Sequence, residues 1–571
     1  MTARRALLAI VALALLLRLL PIDHGMPRSY VPDGHVVRNA LGMAQDLDPV
    51  PPISKYSTYP YLVPYLLLPV YGVEFAVGRA SGAWGGKEEF GMRVKERPGL
   101  VQVPARVLMA VFGALTAWAV LRAAQAAGMR EGAWAASFLA ATSLLNLQLS
   151  THERPWTAVI FFGALAAWRS IEFGRDGRRR DLWLAGAAAA LAFSCHQAGL
   201  AFLALPGFAW LFGPRRWNGD HLRQRIVEGA VCVLLFAAIA ALVGHPYRLR
   251  YGATPAESII GGGQHDTLDL GAQPLALGFS FASAARLSVS LFGYDPVLLL
   301  LGLAGLGFAF RERALRASML ALLVLAAFAL FNPSDHVRYL LPSTMLLALP
   351  AGLFVERLWA GKPARFALLA LLALPLAQAI RFDVVLRAED TRNEFERVLA
   401  ALPAGSVVAI DHYGPRPDLS RAALDRAAKL RALTSREELR RAYFEANLEP
   451  PTGAGLDVLQ VEDLFGIDAK TLAYGLHERP EVRALGGTPR EVLAALGATH
   501  LLLARREPAA EPRPLEALVA GTQPIGVLDP SAEADDPCSE AWLPTEMDFP
   551  LSALWQVRRP GPRLELYELR R

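Results

Sequence analysis

The sequence is poor in charge, in cysteine and in familiar catalytic loops, and each shortage narrows what the protein can be. Only 19% of its 571 residues are charged, below the roughly one quarter that is usual for soluble domains. Its three cysteines, Cys195, Cys232 and Cys538, are scattered along the chain, which argues against a disulfide framework or a cysteine zinc site. The net charge is +5, but the excess arginine lies in short links between apolar runs. Nucleic acid is therefore not an expected partner.

Long apolar runs dominate the chain up to about residue 382. The sequence is 53% hydrophobic and its mean hydropathy is +0.29. A bilayer core about 30 Å thick needs roughly 20 helical residues, and about eleven runs are suitable. They lie near 6–22, 104–122, 132–150, 156–173, 182–196, 198–213, 226–244, 282–310, 314–331, 338–357 and 364–380. We therefore predict a mostly α fold, with residues 1–382 forming a polytopic bundle of about eleven transmembrane helices.

Arginine is concentrated in alternate links between these runs. The arginine-rich links contain Arg122/Arg130, Arg175/Arg178/Arg179/Arg180, Arg215/Arg216/Arg223/Arg225, Arg311/Arg313/Arg316 and Arg357/Lys362/Arg365. Because arginine is costly to translocate, this asymmetry predicts a cytoplasmic N-terminus and an extracytoplasmic C-terminal region. The first run is either a retained span or a cleaved signal peptide. Arg18 within it, and the lack of a clear small-residue cleavage site, favour a span.

The run 59–79 departs from this pattern. It contains Pro60, Pro64 and Pro69 and is rich in tyrosine, and counting it as a crossing would move the later arginine clusters outside. We predict that it lies along the outer interface or re-enters the membrane. The first outer loop then extends from about 23 to 103 and a second from about 245 to 281, both long enough to suggest a function.

The region 383–571 reads as a soluble extracytoplasmic domain. FERVLAALPAGSVVAIDHYG and EVLAALGATHLLLAR each predict a helix followed by a strand, and RLELYEL predicts a final strand. Alternating helices and strands indicate a small α/β domain. The region has no phosphate-binding glycine loop and no nucleophile elbow, so chemistry is not expected there.

On the predicted topology, several ionisable residues gather on the outer side of the bundle, which is typical of a binding or catalytic site. They are Asp33, Glu153, His196, His245, Asp266, His336 and Arg338. Asp33 is our candidate general base for an acceptor hydroxyl or amine, with His35 near enough to tune it; the alternative is a solvated helix cap. Glu153 and Arg154 either form an interfacial ion pair or contribute to catalysis and acceptor binding.

The histidine and arginine candidates all follow or begin apolar runs. His196 is either a satisfied polar turn residue or a phosphate contact, and His245 with Tyr247 forms a similar HPY turn. Arg338 begins a run on the outer side beside His336 and Tyr339. Its guanidinium either binds a phosphate with a planar fork of donors or only reaches towards the interface.

In order along the chain, these segments resemble the GT-C superfamily of polytopic glycosyltransferases. The branch that they resemble is that of the protein O-mannosyltransferases and lipid A aminoarabinose transferases. The similarity rests on Asp33, YPYLVPYLLLPVYG, ARVLMAVFGALTAWAVLRAAQAAG, STHERPW, the HPY segment, RYLLP, DTRNEF and GPRLELYEL. Two positions depart from the family: Asp33 is followed by Gly34 where the branch usually has a second acid, and a lysine expected near SCHQ is absent.

The resemblance implies transfer of a hexose or pentose from a polyprenyl-phosphate carrier in a bacterial inner membrane. The acceptor would be a lipid, glycan or protein on the extracytoplasmic face. Asp33 would act as the base and Arg338 would neutralise the leaving phosphate, with no cofactor and no metal favoured. From the residues alone, a transporter or flippase and a non-catalytic assembly protein remain alternatives. Transporters often carry internal repeats and ionisable groups at mid-bilayer depth, and neither is evident here.

Overall fold

The structure is a computed structural model, and most of the chain is described in it. The described residues are 3–28, 30, 34–52, 59–213, 219–252, 267–269, 274–276, 281–330, 337–433, 435–445, 455–467, 474–476, 479–505, 514–531 and 551–569. Three predicted site residues, Asp33, Asp266 and His336, lie outside the described residues. Internal contacts divide the chain into two units. The first comprises Met1–Ile22, Val31–Lys87 and Leu100–Val384, and the second Asp23–Tyr30, Glu88–Gly99 and Val385–Arg571.

The chain up to residue 386 is mostly helical, as predicted. Its α-helices are α1 (Ala3–Leu19), α2 (His35–Asp46), α3 (Leu62–Ala80), α4 (Lys87–Glu96), α5 (Gly99–Ala126), α6 (Glu131–Thr142), α7 (Leu144–Ser150), α8 (Trp156–Asp176), α9 (Arg179–Cys195), α10 (Ala204–Phe212), α11 (Gly219–Ile239), α12 (Pro246–Tyr251), α13 (Phe281–Tyr294), α14 (Pro296–Arg311), α15 (Arg313–Leu330), α16 (Leu341–Leu358) and α17 (Lys362–Leu386). Gln197–Leu203 and Val337–Leu340 are 3₁₀ turns, and Ala240–Gly244 is a π-helical turn. Two short strands, β1 (Thr267–Asp269) and β2 (Pro274–Ala276), pair antiparallel.

Several helices in the described part of the chain are long and apolar enough to cross a membrane. Within the described residues, five are long and apolar enough, or six if one sharply bent pair is a single span. The five are Leu62–Ala80, Gly99–Ala126, His221–Gly244, Val337–Leu358 and Lys362–Ala400. All of the predicted runs are largely helical, whereas the count of about eleven crossings stays a prediction. The run 59–79 forms α3, with Pro69 inside it, and its placement along the interface also stays a prediction.

Two of the predicted spans are interrupted, and hydrogen bonds connect the two interruptions. The run 282–310 bends by 111° between α13 and α14, where Pro296 cannot donate the backbone bond that would continue α13. The run 132–150 breaks at Ser143 between α6 and α7. The buried carboxylate of Asp295, at the bend, accepts bonds from Ser143 Oγ and from the Leu144 amide, both at 2.8 Å. These bonds satisfy donors that begin α7.

Helix α16 packs closely against two neighbours through small residues. A Cβ added at Gly132 would lie 2.1 Å from the Gly352 carbonyl oxygen, so α6 and α16 touch at backbone level. A Cβ added at Gly305 would lie 1.9 Å from the Pro350 carbonyl oxygen, which places α14 equally close. Such contacts between small residues are typical of packed membrane helices. These contacts hold α16 in a fixed position, and the turn Val337–Leu340 that precedes α16 is held with it.

The chain beyond residue 386 contains short helices and a mixed sheet. The helices are α18 (Thr391–Ala400), α19 (Arg421–Lys429), α20 (Ser435–Glu445), α21 (Val461–Leu464), α22 (Pro480–Arg483), α23 (Pro489–Ala495), α24 (Pro514–Ala517) and α25 (Leu551–Gln556). The strands are β3 (Val408–Ile410), β4 (Val458–Gln460), β5 (Phe465–Ile467), β6 (Tyr474–Leu476), β7 (His500–Arg505), β8 (Gly526–Leu528) and β9 (Arg563–Glu568).

Five of these strands form one sheet in the order β4-β3-β7-β9-β8. Strand β3 pairs parallel with β4 and β7, whereas β9 pairs antiparallel with β7 and β8. The two predicted helix–strand segments are α18 with β3 and α23 with β7, and the predicted last strand is β9.

Candidate active site

Five aromatic and histidine side chains, from five separate segments of the chain, form a continuous row in the first unit. The neighbouring ring centroids are separated by 5.9 Å for His35–Tyr59, 5.3 Å for Tyr59–His196, 4.4 Å for His196–Trp156 and 5.3 Å for Trp156–Tyr339. The three middle members are buried and the two ends, His35 and Tyr339, are partly exposed. We call this set the aromatic row. It brings together three predicted site residues that are far apart in sequence.

Three members of the row lie at the beginning or the end of a helix. His35 begins α2, Trp156 begins α8, and His196 follows the last residue of α9. The backbone of His196 is extended, and its Nδ1 accepts a hydrogen bond from the Ala198 amide at 3.1 Å. His196 is therefore a capping residue of the next turn, as one of the two sequence interpretations expected. The same ring also lies against Trp156 and Tyr59.

Arg338 lies at one end of the row, on the turn before α16. Its guanidinium carbon is 5.7 Å from the centre of the Tyr339 ring, and the side chain is partly exposed. Among the described residues, no carboxylate forms an ion pair with it. A guanidinium of this kind is able to receive an anion with two parallel hydrogen bonds.

Glu153 pairs with a residue that sequence reasoning did not select. Its Oε2 accepts a hydrogen bond from Arg106 Nε of α5 at 2.9 Å, and the two side chains are 0% and 1% exposed. Arg106 also donates to the Ile22 carbonyl oxygen at 3.1 Å. Arg154 is buried as well, but it is not the ion-pair partner of Glu153. The pair therefore lies inside the bundle and joins α5 to the chain following α1.

A second group of aromatic side chains surrounds His245. Its Nδ1 and the Tyr247 hydroxyl are 3.1 Å apart, and its ring centroid is 4.7 Å from that of Phe193. Tyr247 in turn lies 5.4 Å from Tyr61, whose amide donates to the Gly244 carbonyl oxygen. Burial, and next the charge of Arg248, lower the pKa of His245 to about 4, so its imidazole is neutral at physiological pH. The predicted pair His245 and Tyr247 is thus brought together by the fold.

A comparison with protein families matches part of the chain that contributes to this site. Residues 96–243 match the family model described as dolichyl-phosphate-mannose-protein mannosyltransferase. The chain resembles the GT-C membrane glycosyltransferases. This confirms the resemblance that the sequence indicated. The matched segment contains Arg106, Glu153, Trp156 and His196, whereas His35, Tyr59 and Tyr339 lie outside it.

Three solved membrane-enzyme structures show partial similarity to this chain. ArnT from Cupriavidus metallidurans bound to undecaprenyl phosphate is 17% identical with a TM-score of 0.45, over 71% of this chain and 67% of that chain. The S. cerevisiae Pmt1–Pmt2 complex bound to the sugar donor is 17% identical with a TM-score of 0.33, over 44% and 34%. The oligosaccharyltransferase AglB from Archaeoglobus fulgidus, with an inhibitory peptide and a dolichol-phosphate, is 12% identical with a TM-score of 0.39, over 88% and 69%. No curated protein sequence matches the chain.

Sequence reasoning did not select Tyr59, Arg106 or Trp156 as site residues. Tyr59 directly precedes one of the prolines that were taken to disrupt the run. Arg106 is a charge inside an apolar run, and such a residue usually has a buried partner. That signal was available, although it does not identify Glu153. No group of three or more metal-ligating side chains occurs in the part of the chain that the structure describes.

Proposed function

We propose that this protein is a membrane glycosyltransferase that moves a sugar from a polyprenyl-phosphate carrier to a lipid, glycan or protein acceptor. The reaction takes place on the extracytoplasmic face of a bacterial inner membrane. The observation that carries the proposal is the position of Arg338. It is a partly exposed guanidinium, without a carboxylate partner among the described residues, at one end of the aromatic row.

A lipid-linked sugar phosphate requires a cation beside an apolar surface. Its polyprenyl chain stays in the membrane, so its phosphate is presented close to helix ends and not in open solvent. Arg338 lies on the turn that leads into the apolar helix α16. Two of the matched structures contain undecaprenyl phosphate or dolichol-phosphate, and ligands of this class suit Arg338. His336, two residues earlier in the sequence, is a second candidate for the same phosphate.

The aromatic row connects the turn that carries Arg338 and Tyr339 to His35, which lies two residues after Asp33 in the sequence. Arg338 and Tyr339 bind the phosphate, and His35 belongs to the segment that binds the acceptor. Packed rings hold these two segments in a fixed relative position, which lowers the entropy cost of bringing the two substrates together.

The reaction follows from these roles. Asp33 accepts the proton of the acceptor hydroxyl or amine while the acceptor atom forms a bond to C1 of the sugar. The bond between C1 and the phosphate oxygen breaks, and its electron pair leaves with the phosphate. Arg338 stabilises the negative charge that develops on that phosphate.

The remaining candidates act around these two groups. Glu153 is fully buried and paired with Arg106, so we assign it a positioning role within the catalytic bundle. His196 supports the row, and Arg154 is buried one residue after Glu153. His245 and Tyr247 bind substrate through the neutral imidazole and the hydroxyl.

Membranes that contain the protein, incubated with labelled polyprenyl-phosphate sugars, test the proposal. The lipid, glycan and protein fractions are then separated and counted. We expect label in one of these fractions and release of the unglycosylated carrier phosphate. If the labelled carrier crosses the membrane with no transfer, the protein is a flippase or transporter and the proposal fails.

A further inference from the structure

The segment Asp23–Tyr30, which directly follows the first helix region, packs with the C-terminal sheet and its helices. We call this segment the strap; residues 23–28 and 30 of it are described. It opens the predicted first outer loop, and Tyr30 precedes the proposed base Asp33 by three residues. A C-terminal domain in which the sequence predicts no chemistry thus holds the chain just before a residue of the proposed reaction.

Arg28 is the first attachment of the strap. Its Nε and Nη2 donate to the two carboxylate oxygens of Glu396 at 3.1 and 3.0 Å, and its Nη1 donates to Asp418 Oδ1 at 3.1 Å. The three side chains are only 15%, 20% and 17% exposed. Burial alone would lower the pKa of the Arg28 guanidinium, but the hydrogen bonds and charges of Glu396 and Asp418 raise it. Two-sided bonding of this kind fixes the direction of a guanidinium.

Tyr30 is the second attachment. Its hydroxyl donates to Asn393 Oδ1 at 3.0 Å, and the Arg392 guanidinium carbon lies 3.6 Å from the centre of its ring. Arg392 is itself held by both oxygens of Asp390, at 2.8 and 2.7 Å. Asn393 Nδ2 also donates to the Met26 carbonyl oxygen at 2.9 Å. The strap is therefore bound by side chains and by its backbone.

The partners of the strap cluster at the beginning of α18, in the motif DTRNEF. Asp390 caps the helix by accepting from the Arg392 amide at 2.9 Å. Thr391 anchors the helix to the chain before β9, since its amide and hydroxyl donate to the carbonyl oxygens of Pro560 and Pro562. Phe395 lies in the core beneath the sheet. The motif thus connects the strap to the hydrophobic core of the domain.

We propose that the C-terminal domain is a positioning device for the transfer reaction, with Arg28 and Tyr30 as its positioning residues. The inference rests on the proposed function. The domain holds the start of the first outer loop in the geometry that transfer requires. Since a displacement of about 1 Å at a reacting group costs on the order of 10²-fold in rate, a loosened strap lowers turnover while the donor site keeps its affinity.

Arg28→Ala in the full-length protein, in membranes, tests this. We expect kcat for transfer to fall at least about tenfold, with KM for the polyprenyl-phosphate sugar within about twofold of the wild type. Arg28→Lys keeps the positive charge but lacks the planar set of donors of a guanidinium. Its kcat should therefore fall less than that of Arg28→Ala. Tyr30→Phe removes only the bond to Asn393 and serves as a milder variant that should fold. It should give a smaller loss of kcat in the same direction.

Arg426→Ala is the matched control. Arg426 pairs with Asp457 at 2.8 Å in the same unit, with similar exposures of 20% and 26%, and this pair does not involve the strap. It should leave kcat unchanged. An equal loss of kcat in Arg28→Ala and Arg426→Ala would mean that the domain is merely destabilised and would overturn the inference.

Hydrogen exchange of the strap amides gives a readout that does not depend on activity. Exchange should accelerate in Arg28→Ala and stay unchanged in Arg426→Ala. If the wild type transfers sugar and Arg28→Ala keeps full kcat despite faster exchange, the inference fails and the proposed function stands. If the wild type transfers no sugar from any carrier, the proposed function fails, whatever the exchange data show.

Discussion

The imidazole of His196 and the indole of Trp156 lie with their ring centroids 4.4 Å apart, at the centre of the aromatic row. One ring follows the last residue of α9 and the other begins α8, so two helix ends meet at this contact. Tyr59 on one side and Tyr339 on the other extend the contact towards the two partly exposed ends. The proposed reaction uses residues of the two segments to which these ends belong.

Arg338→Ala should impair transfer by weakening donor binding, turnover or both, because Arg338 is the proposed partner of the phosphate. Arg338→Lys should recover only part of the loss, since an ammonium lacks the planar fork of a guanidinium. Initial rates over a range of donor concentrations separate the two effects. Unchanged kcat and KM in Arg338→Ala would leave this side chain as an interfacial arginine and would make His196 and Arg248 the next phosphate candidates.

Glu153→Gln should destabilise the membrane bundle by about 3–5 kcal/mol, because the buried Arg106 guanidinium would lose its counter-charge. The double variant Arg106→Met/Glu153→Leu removes both charges and should recover much of that loss. Thermal denaturation in detergent measures the stability of the single and the double variant. Glu312→Gln, in the exposed pair with Arg357, is the control and should cost less than about 1 kcal/mol. If Glu153→Gln is no more costly than this control, the buried pair does not stabilise the bundle.

Asp463 should make the stability of the C-terminal domain depend on pH. Burial, and next the charge of Glu462, raise the pKa of the Asp463 carboxyl to about 7. The folded state therefore binds this proton more tightly than the unfolded chain does. The stabilisation that this tighter proton binding gives is lost as the pH rises from about 4 to about 7. Asp463→Asn should raise stability by about 1–2 kcal/mol at pH 8.

Melting curves of the full-length protein between pH 5 and pH 8 check this. The gain from Asp463→Asn should shrink towards pH 5, where the wild-type carboxyl is already protonated. Asp425→Asn, at a half-exposed position, is the control and should have little effect. A gain from Asp463→Asn that is the same at every pH would contradict the prediction.

Helix α3 should not cross the membrane, because a crossing would reverse the arginine asymmetry of the later links. Ser57→Cys and Ser81→Cys should then both react with an impermeant thiol reagent from the extracytoplasmic side. Arg178→Cys, in an arginine-rich link, should react only from the cytoplasm. Reaction of Ser81→Cys from the cytoplasm alone would show that α3 is a true span.

Much of the fold could be predicted because local patterns determine it. The apolar runs are helical, and EVLAALGATHLLLAR forms α23 and β7 as expected. The bend beside Asp295 was not predicted, since its bonds to Ser143 and Leu144 join residues about 150 positions apart. A single proline in a long apolar run did not suffice to indicate a bend of 111°.

The candidate site shows the same division between local and long-range information. His196, Arg338 and Tyr339 were selected from the sequence because they are polar and lie at the ends of apolar runs. Their contacts were not needed for that selection. The order of the aromatic row depends on packing between five separate segments of the chain, and no periodicity in the sequence encodes it. The motif DTRNEF was recognised by resemblance, but its contacts with Arg28 and Tyr30 became evident only in the folded domain.

The most direct test of the account compares Asp33→Asn with the wild type in the labelled-donor assay, at equal amounts of membrane-inserted protein. The substitution keeps the size of the side chain and removes most of its basicity. Transfer to the acceptor should fall by about 10²–10⁴-fold, with insertion and the melting temperature unchanged. Near-normal turnover in Asp33→Asn would contradict the account and would make Asp33 a helix cap.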